Sequence, residues 1–103
     1  MQPFLNIEIK EFQHHFKINI YDNLNIVNIK TVKDIVFNDS FRKKNILLDF
    51  KGFDYIDSSG IGLLFALIKL QREYARDIRL DNMSKSIKDI FVVSGLYGYY
   101  KNE

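Results

Sequence analysis

Apolar and polar residues alternate along the first twenty positions: Leu5, Ile7 and Ile9 stand among Asn6, Glu8 and Lys10, then Phe16, Ile18 and Ile20 among Lys17, Asn19 and Tyr21. Successive side chains of a strand point to opposite faces, so each segment predicts a strand with one face on a core and one in water. The short polar join at Gln13 and His14 predicts that the two pair as an antiparallel hairpin. From Ile29 the spacing changes, and Ile29, Val32, Ile35 and Val36 fall at helical intervals that end near Asn38 to Ser40. The run "ILLDF", Ile46 to Phe50, is short and almost continuously apolar, which predicts a central strand covered on both faces. A helix of four turns follows from Gly60 to Arg76, with Ile61, Leu64, Phe65 and Ile68 on one stripe and Leu63, Leu67, Leu70 and Tyr74 on the next. Such a helix is apolar over more than half its circumference. "DIRLDNM", residues 77 to 83, predicts another strand, and "YGYYK" a last short one. Between them, Ser86 with Asp89 three residues on resembles a capping box for a short helix through Ile87, Ile90 and Phe91 that stops at Gly95.

Strands alternating with helices after an opening hairpin predict an α/β fold: a mixed sheet of four to five strands with an N-terminal antiparallel pair, packed against α-helices. At 103 residues the chain fits one domain, 1–103, and it contains no repeat, linker or low-complexity tract. The balance of 15 basic against 13 acidic side chains, scattered in both signs, lacks the clustered basic face of a nucleic-acid binder. The absence of cysteine excludes a disulfide framework, a thiolate metal site and a cysteine nucleophile. No basic segment followed by a long apolar one opens the chain, and the longest apolar run, Ile61 to Leu70, is broken by Lys69. It falls well short of the roughly 20 residues of a membrane span, so the expectation is a soluble cytoplasmic protein without membrane insertion.

The chemistry concentrates in "DYIDSSGIG", Asp54 to Gly62, where two serines stand between an acidic residue and two glycines. A serine nucleophile needs a base within reach, but the only histidines, His14 and His15, lie in the distant hairpin region and no motif places them. A nucleophile elbow also wants glycine two residues before the serine, where this chain has Ile56 before Ser58 and Asp57 before Ser59. No lysine follows the glycines as a phosphate-binding loop requires, and neighbouring histidines on a strand point apart, which disfavours a metal site. A helix cap would account for one of Asp57, Ser58 and Ser59, at a gain of about 1 kcal/mol. It leaves Gly60 and Gly62 unexplained, each of which costs up to ~1 kcal/mol of helix propensity. Small residues there predict that something approaches the backbone closely. An exposed hydroxyl at a helix start is also a place that tolerates an added phosphate.

The stretch "NILLDFKGFDYIDSSGIGLLFALIKL" resembles the central motif of the STAS domain, the family of bacterial anti-sigma factor antagonists. A buried strand, a loop ending in Asp-Ser-Ser-Gly, a helix, a short strand and the downstream Ser94-Gly95-Leu96 occur in the family's order, and with the opening strands the resemblance covers nearly the whole chain. It implies a STAS-type sheet and a protein that is no enzyme and carries no cofactor. By the same resemblance Ser58 is the position phosphorylated by the partner, an anti-sigma factor that is itself a serine kinase, with a serine phosphatase to reverse the step. Unphosphorylated, such an antagonist binds the anti-sigma factor and frees a sigma factor for transcription; phosphorylated, it lets go. The expected partner surface comprises Asp22, Asn25, Asp57, Ser58, Ser59, Gly60, Ile61, Gly62 and Leu64. The apolar breadth of the helix, too wide for the sheet alone, predicts that part of the stripe near its start, Ile61 with Leu64 or Leu63, packs on the partner, the alternative being that a neighbouring helix covers it.

Two departures accompany the resemblance. Where the family has a Gly-Glu-Leu-Asp turn, this chain reads Asp22-Asn23-Leu24-Asn25, so that either Asp22 keeps the acidic group or Asn25 replaces it. Many members add a helix after the last strand, whereas this sequence ends at Glu103, which predicts a sheet edge left open or covered by a partner. A second reading keeps the fold and drops the switch: a constitutive STAS interaction subunit of a larger signalling or transport assembly, in which Ser58 only caps a helix.

Overall fold

The computed structural model of the chain describes residues 7–21, 29–51 and 55–95. Within them a four-stranded sheet is ordered β1 (Ile7–Glu11), β2 (His15–Ile20), β3 (Asn45–Asp49), β4 (Ile78–Asp81). β1 and β2 pair antiparallel, Ile7 opposite Ile20 and Glu11 opposite Phe16, as the alternation predicts. Phe12 N–H donates to the His15 carbonyl at 2.8 Å to close the hairpin, and the two rings stack at 4.8 Å. β2, β3 and β4 run parallel, and parallel neighbours need long crossovers. The first crossover carries α1 (Ile29–Val36) and a 3₁₀ turn (Asp39–Lys43), the second α2 (Ser58–Glu73), and α3 (Lys85–Ser94) follows β4.

One sheet face is a continuous apolar layer. Phe16, Ile18, Ile20, Ile46, Leu48, Ile78 and Leu80 are all buried, and the helices cover them with Val32, Val36, Leu64, Leu67, Ile68, Ile87 and Phe91. Each fully buried side chain of this kind stabilises the fold by about 1.5–3 kcal/mol relative to exposure. Beyond β3, Phe50 meets Phe91 edge to face at 5.9 Å and locks α3 onto the sheet.

The run Ile46–Phe50 is central, as expected, but among the described residues helices cover only one of its faces. Leu47 is half-buried, and the opposite face carries Glu8, Lys10, Lys17, Asn19 and Asp49 around an open polar groove. The unbroken apolar look of the run arises because Leu47 is apolar without being fully enclosed.

Caps and ends also differ from expectation. α3 is capped by Ser84, whose Oγ accepts from Ile87 N–H at 3.2 Å, and Ser86 sits inside the first turn. Asp89, the supposed far member of the box, instead pairs with Lys85 at 3.0 Å. The stop at Gly95 is as predicted, with φ of 85° that glycine adopts without penalty. α2 begins two residues before Gly60 and ends at Glu73 rather than Arg76, because Ala75 turns left-handed at φ 57°. Near its end it buries Gln71, whose amide donates to the Lys44 carbonyl at 3.1 Å, and leaves Tyr74 54% exposed. Arg42 is also buried and closes the end of α1 by donating from Nη2 to the Val36 carbonyl at 2.6 Å. Burial lowers its pKa, against the opposing pull of Asp39 and Tyr74. The closing strand expected at "YGYYK", and with it the state of the sheet edge, lies outside the described residues.

Candidate functional site

The serine stretch enters α2 through Asp57, which has extended backbone angles, φ −95° and ψ −176°, and serves as the N-cap. Its Oδ1 accepts from Ser59 N–H at 3.0 Å, from Gly60 N–H at 3.1 Å and from the Ser59 hydroxyl at 2.5 Å. Of the three polar residues at this turn, Asp57 is thus the cap. A carboxylate so placed satisfies two of the orphan donors of the helix start and complements the positive end of its dipole. Ser58 is the first helical residue, exposed, and without a hydrogen bond among the described residues. The two serines are therefore chemically unlike: one hydroxyl is tied to a carboxylate, the other faces water.

Gly62 is exposed, and a Cβ built on it meets nothing within 4 Å. The close approach that its small size suggests is not made by any described part of this chain. Gly60 is buried in the same turn.

Beside Ser58 the starts of α2 and the end of α3 frame a groove of about 460 Å³, its walls formed by Tyr55, Ile61, Ile90 and Val93 and its rim by Asp57 and Asp89. Tyr55 is 52% and Val93 89% exposed, so the groove presents apolar side chains directly to solvent next to the free hydroxyl. Ile61, 9% exposed, is the most enclosed of these four wall residues, and Ile90 is half-buried. Leu64 belongs elsewhere. It is 2% exposed and, like Leu63, packs into the core, so the expectation that Leu64 meets a partner is corrected: one turn into α2 its stripe already faces the sheet. Asp22 and Asn25 lie outside the described residues. Tyr55, Ile90 and Val93 are the residues that the motif did not mark. The adjacent valines 92 and 93 at the end of α3 were the available signal, since both stand off the face that carries Ile87 and Phe91.

Among the described residues no histidine is placed at Ser58. His15 pairs in register with Asn45 at the beginning of β3, whereas Ser58 follows the far end of that strand, roughly 13 Å of extended chain away. Among the described residues there is no group of three or more His, Asp or Glu side chains placed to hold a metal, and no helix long and apolar enough to cross a membrane.

Comparison with known proteins gives the same picture from outside the chain. The anti-sigma-B factor antagonist of Bacillus subtilis is 18% identical over 92 residues, spanning 89% of this chain and 84% of that protein. A putative anti-sigma factor antagonist from Thermotoga maritima superposes with a TM-score of 0.84 at 21% identity, covering 93% of this chain and 84% of the other. The antagonist SpoIIAA superposes in its unphosphorylated form with a TM-score of 0.77 at 17% identity, covering 95% and 88% of the two chains. Its phosphorylated form from Bacillus gives 0.72 at 19% identity, covering 95% and 91%. With the family model for the STAS domain matching residues 6–101, almost its full length, the chain belongs to the STAS domain family.

Proposed function

We propose that the chain is an anti-sigma factor antagonist that acts as a switched substrate and not as an enzyme. In this reading it binds an anti-sigma factor with serine kinase activity through the start of α2, is phosphorylated on Ser58, and is thereby released; a serine phosphatase restores it. The observation that carries the reading is the inequality of the two serines, with the Ser58 hydroxyl exposed and without a hydrogen bond among the described residues while Ser59 is held by Asp57. The groove of Tyr55, Ile61 and Val93 beside it supplies apolar surface of the kind that anchors a protein partner. Gly62, with open space around it, lets a partner backbone come close at the same turn. The similarity to antagonists, one of which is known with and without phosphate, supports the same role.

The test is to incubate the purified chain with ATP and the serine-kinase anti-sigma factors of its source organism, and to locate any phosphate by fragment mass spectrometry. A single phosphate on Ser58, accompanied by loss of the kinase from the complex, is the expected result. A partner that stays bound with ATP present and leaves no phosphate would instead establish the chain as a constitutive subunit of a larger assembly.

A further inference from the structure

We propose that the outer edge of β1 pairs antiparallel with the same edge of a second copy of this chain, so that the two sheets join into one. β1 ends the sheet order on the side away from β4, and among the described residues only β2 pairs with it. Phe12 N–H donates to the His15 carbonyl, which makes these two a hydrogen-bonded pair of the hairpin, and such pairs recur at every second residue of an antiparallel ladder. Glu8 and Lys10 therefore turn their backbone groups toward β2, while those of Ile7, Ile9 and Glu11 point out of the sheet edge. A row of unpaired N–H and C=O groups is a template for another strand.

The apolar side chains fit a second copy. Ile9 stands opposite Ile18, on the face that the helices cover, yet it is 40% exposed because β1 is the last strand of that layer. Half-buried Ile7 lies on the same face. A two-fold axis through Ile9, perpendicular to the sheet, sets Ile9 against Ile9 of the second copy and carries the apolar layer across the junction.

Charge fixes the register. On the polar face the same axis sets Glu8 opposite Lys10 of the second copy and Lys10 opposite its Glu8, so one symmetric contact makes two attractive pairs. A slip of two residues in one direction places Glu8 against Glu8, and in the other Lys10 against Lys10. A slip of one residue sets Ile9 opposite Glu8 or Lys10. Lys10 already faces Lys17 across the hairpin and has no ion pair among the described residues, so an acidic neighbour on its other side offsets a repulsion built into the strand pair. An edge of five residues falls short of the roughly 1,200 Å² at which stable interfaces begin, so the dimer is weak and dissociates on dilution.

The experiment is sedimentation equilibrium of the full chain from roughly 10 µM to 1 mM, with ¹⁵N spectra over the same range. A monomer–dimer equilibrium is expected, with shifts centred on the amides of Ile7, Ile9 and Glu11. Glu8→Lys and Lys10→Glu each turn both pairs between copies into like charges, and each should weaken self-association about tenfold or more while its ¹⁵N spectrum verifies the fold. Mixing the two variants restores opposite charges at both pairs, so the mixture should associate about as tightly as wild type. A chain that stays monomeric across the range would overturn the proposal and leave the edge to a strand of another protein. Association that both variants retain, or that the mixture of folded variants fails to restore, would put the contact elsewhere and overturn it as well.

Discussion

Ser59 gives its hydroxyl proton to Asp57 over 2.5 Å, and this bond distinguishes two neighbours that the motif leaves side by side. To use Ser59 as an acceptor, a kinase would have to break a short charge-assisted hydrogen bond and draw out a half-buried side chain. Ser58 requires neither. The phosphate is therefore expected on Ser58 in wild-type protein, and Asp57→Ala should lose that preference while also losing the cap of α2. Loss of the cap should cost about 1 kcal/mol. Site ratios from fragment spectra and a denaturant titration check the two effects. A single phosphate still confined to Ser58 in Asp57→Ala would mean that the kinase, not the Asp57 bond, selects the serine.

A phosphate on Ser58 brings about −1.5 to −2 charges at pH 7. A helix start ordinarily offers such a group free N–H donors, but here Asp57 already occupies those of Ser59 and Gly60. The new charge must stay outward, at the rim where Asp57 and Asp89 also lie, so a partner seated there would have to desolvate it beside two carboxylates. Ser58→Asp should accordingly lower partner affinity at least tenfold while shifting the melting temperature by only a degree or two, and Ser58→Ala should bind but resist switching. Calorimetry with the partner reads both. Wild-type affinity in Ser58→Asp would remove the electrostatic basis of the switch.

The two hairpin strands were legible because alternation at period two has a single physical cause, a sheet with one apolar face, as the buried Phe16, Ile18 and Ile20 exemplify. α2 was legible as a helix but not in its orientation. Apolar residues on two stripes cannot say which faces the sheet, and the decision rested partly on Gln71, whose partner, the Lys44 carbonyl, is 27 residues away. The cap of α3 was misplaced because Ser86 has the acidic Asp89 three positions on while Ser84 has the apolar Ile87; the bond that Ser84 makes is to the Ile87 backbone N–H, which leaves no mark in the side-chain pattern. At the site, Ser58 was marked by the motif, whereas the contribution of Tyr55 and Val93 required knowing that α3 ends beside the start of α2.

Leu64 and Val93 separate core from interface. Leu64 is 2% exposed, and Leu64→Ala should cost about 2–5 kcal/mol in a denaturant titration through lost burial and the cavity left behind. Val93 is 89% exposed on the groove wall, so Val93→Glu should leave stability within about 0.5 kcal/mol of wild type and weaken partner binding through desolvation and repulsion by neighbouring Asp89. A Val93→Glu protein that binds as well as wild type would take the groove out of the interface.

Ala75 ends α2 in the left-handed region, φ 57°, with its N–H bonded to the Arg72 carbonyl at 3.0 Å. An L-residue with a Cβ pays roughly 1 kcal/mol or more for that conformation, which glycine adopts freely. The unfolded chain partly compensates, since glycine has more freedom to lose on folding. Ala75 is exposed and forms no part of the core, so no packing is forfeited by removing its methyl group. Ala75→Gly is therefore expected to stabilise the fold by about 0.5–1 kcal/mol, visible as a rise of several degrees in melting temperature for a domain of this size. Because the turn lies at the opposite end of α2 from Ser58, phosphorylation and partner affinity should be unchanged. A lower melting temperature for Ala75→Gly would mean that the entropy of the unfolded chain outweighs the strain, and that the left-handed turn is held at little cost.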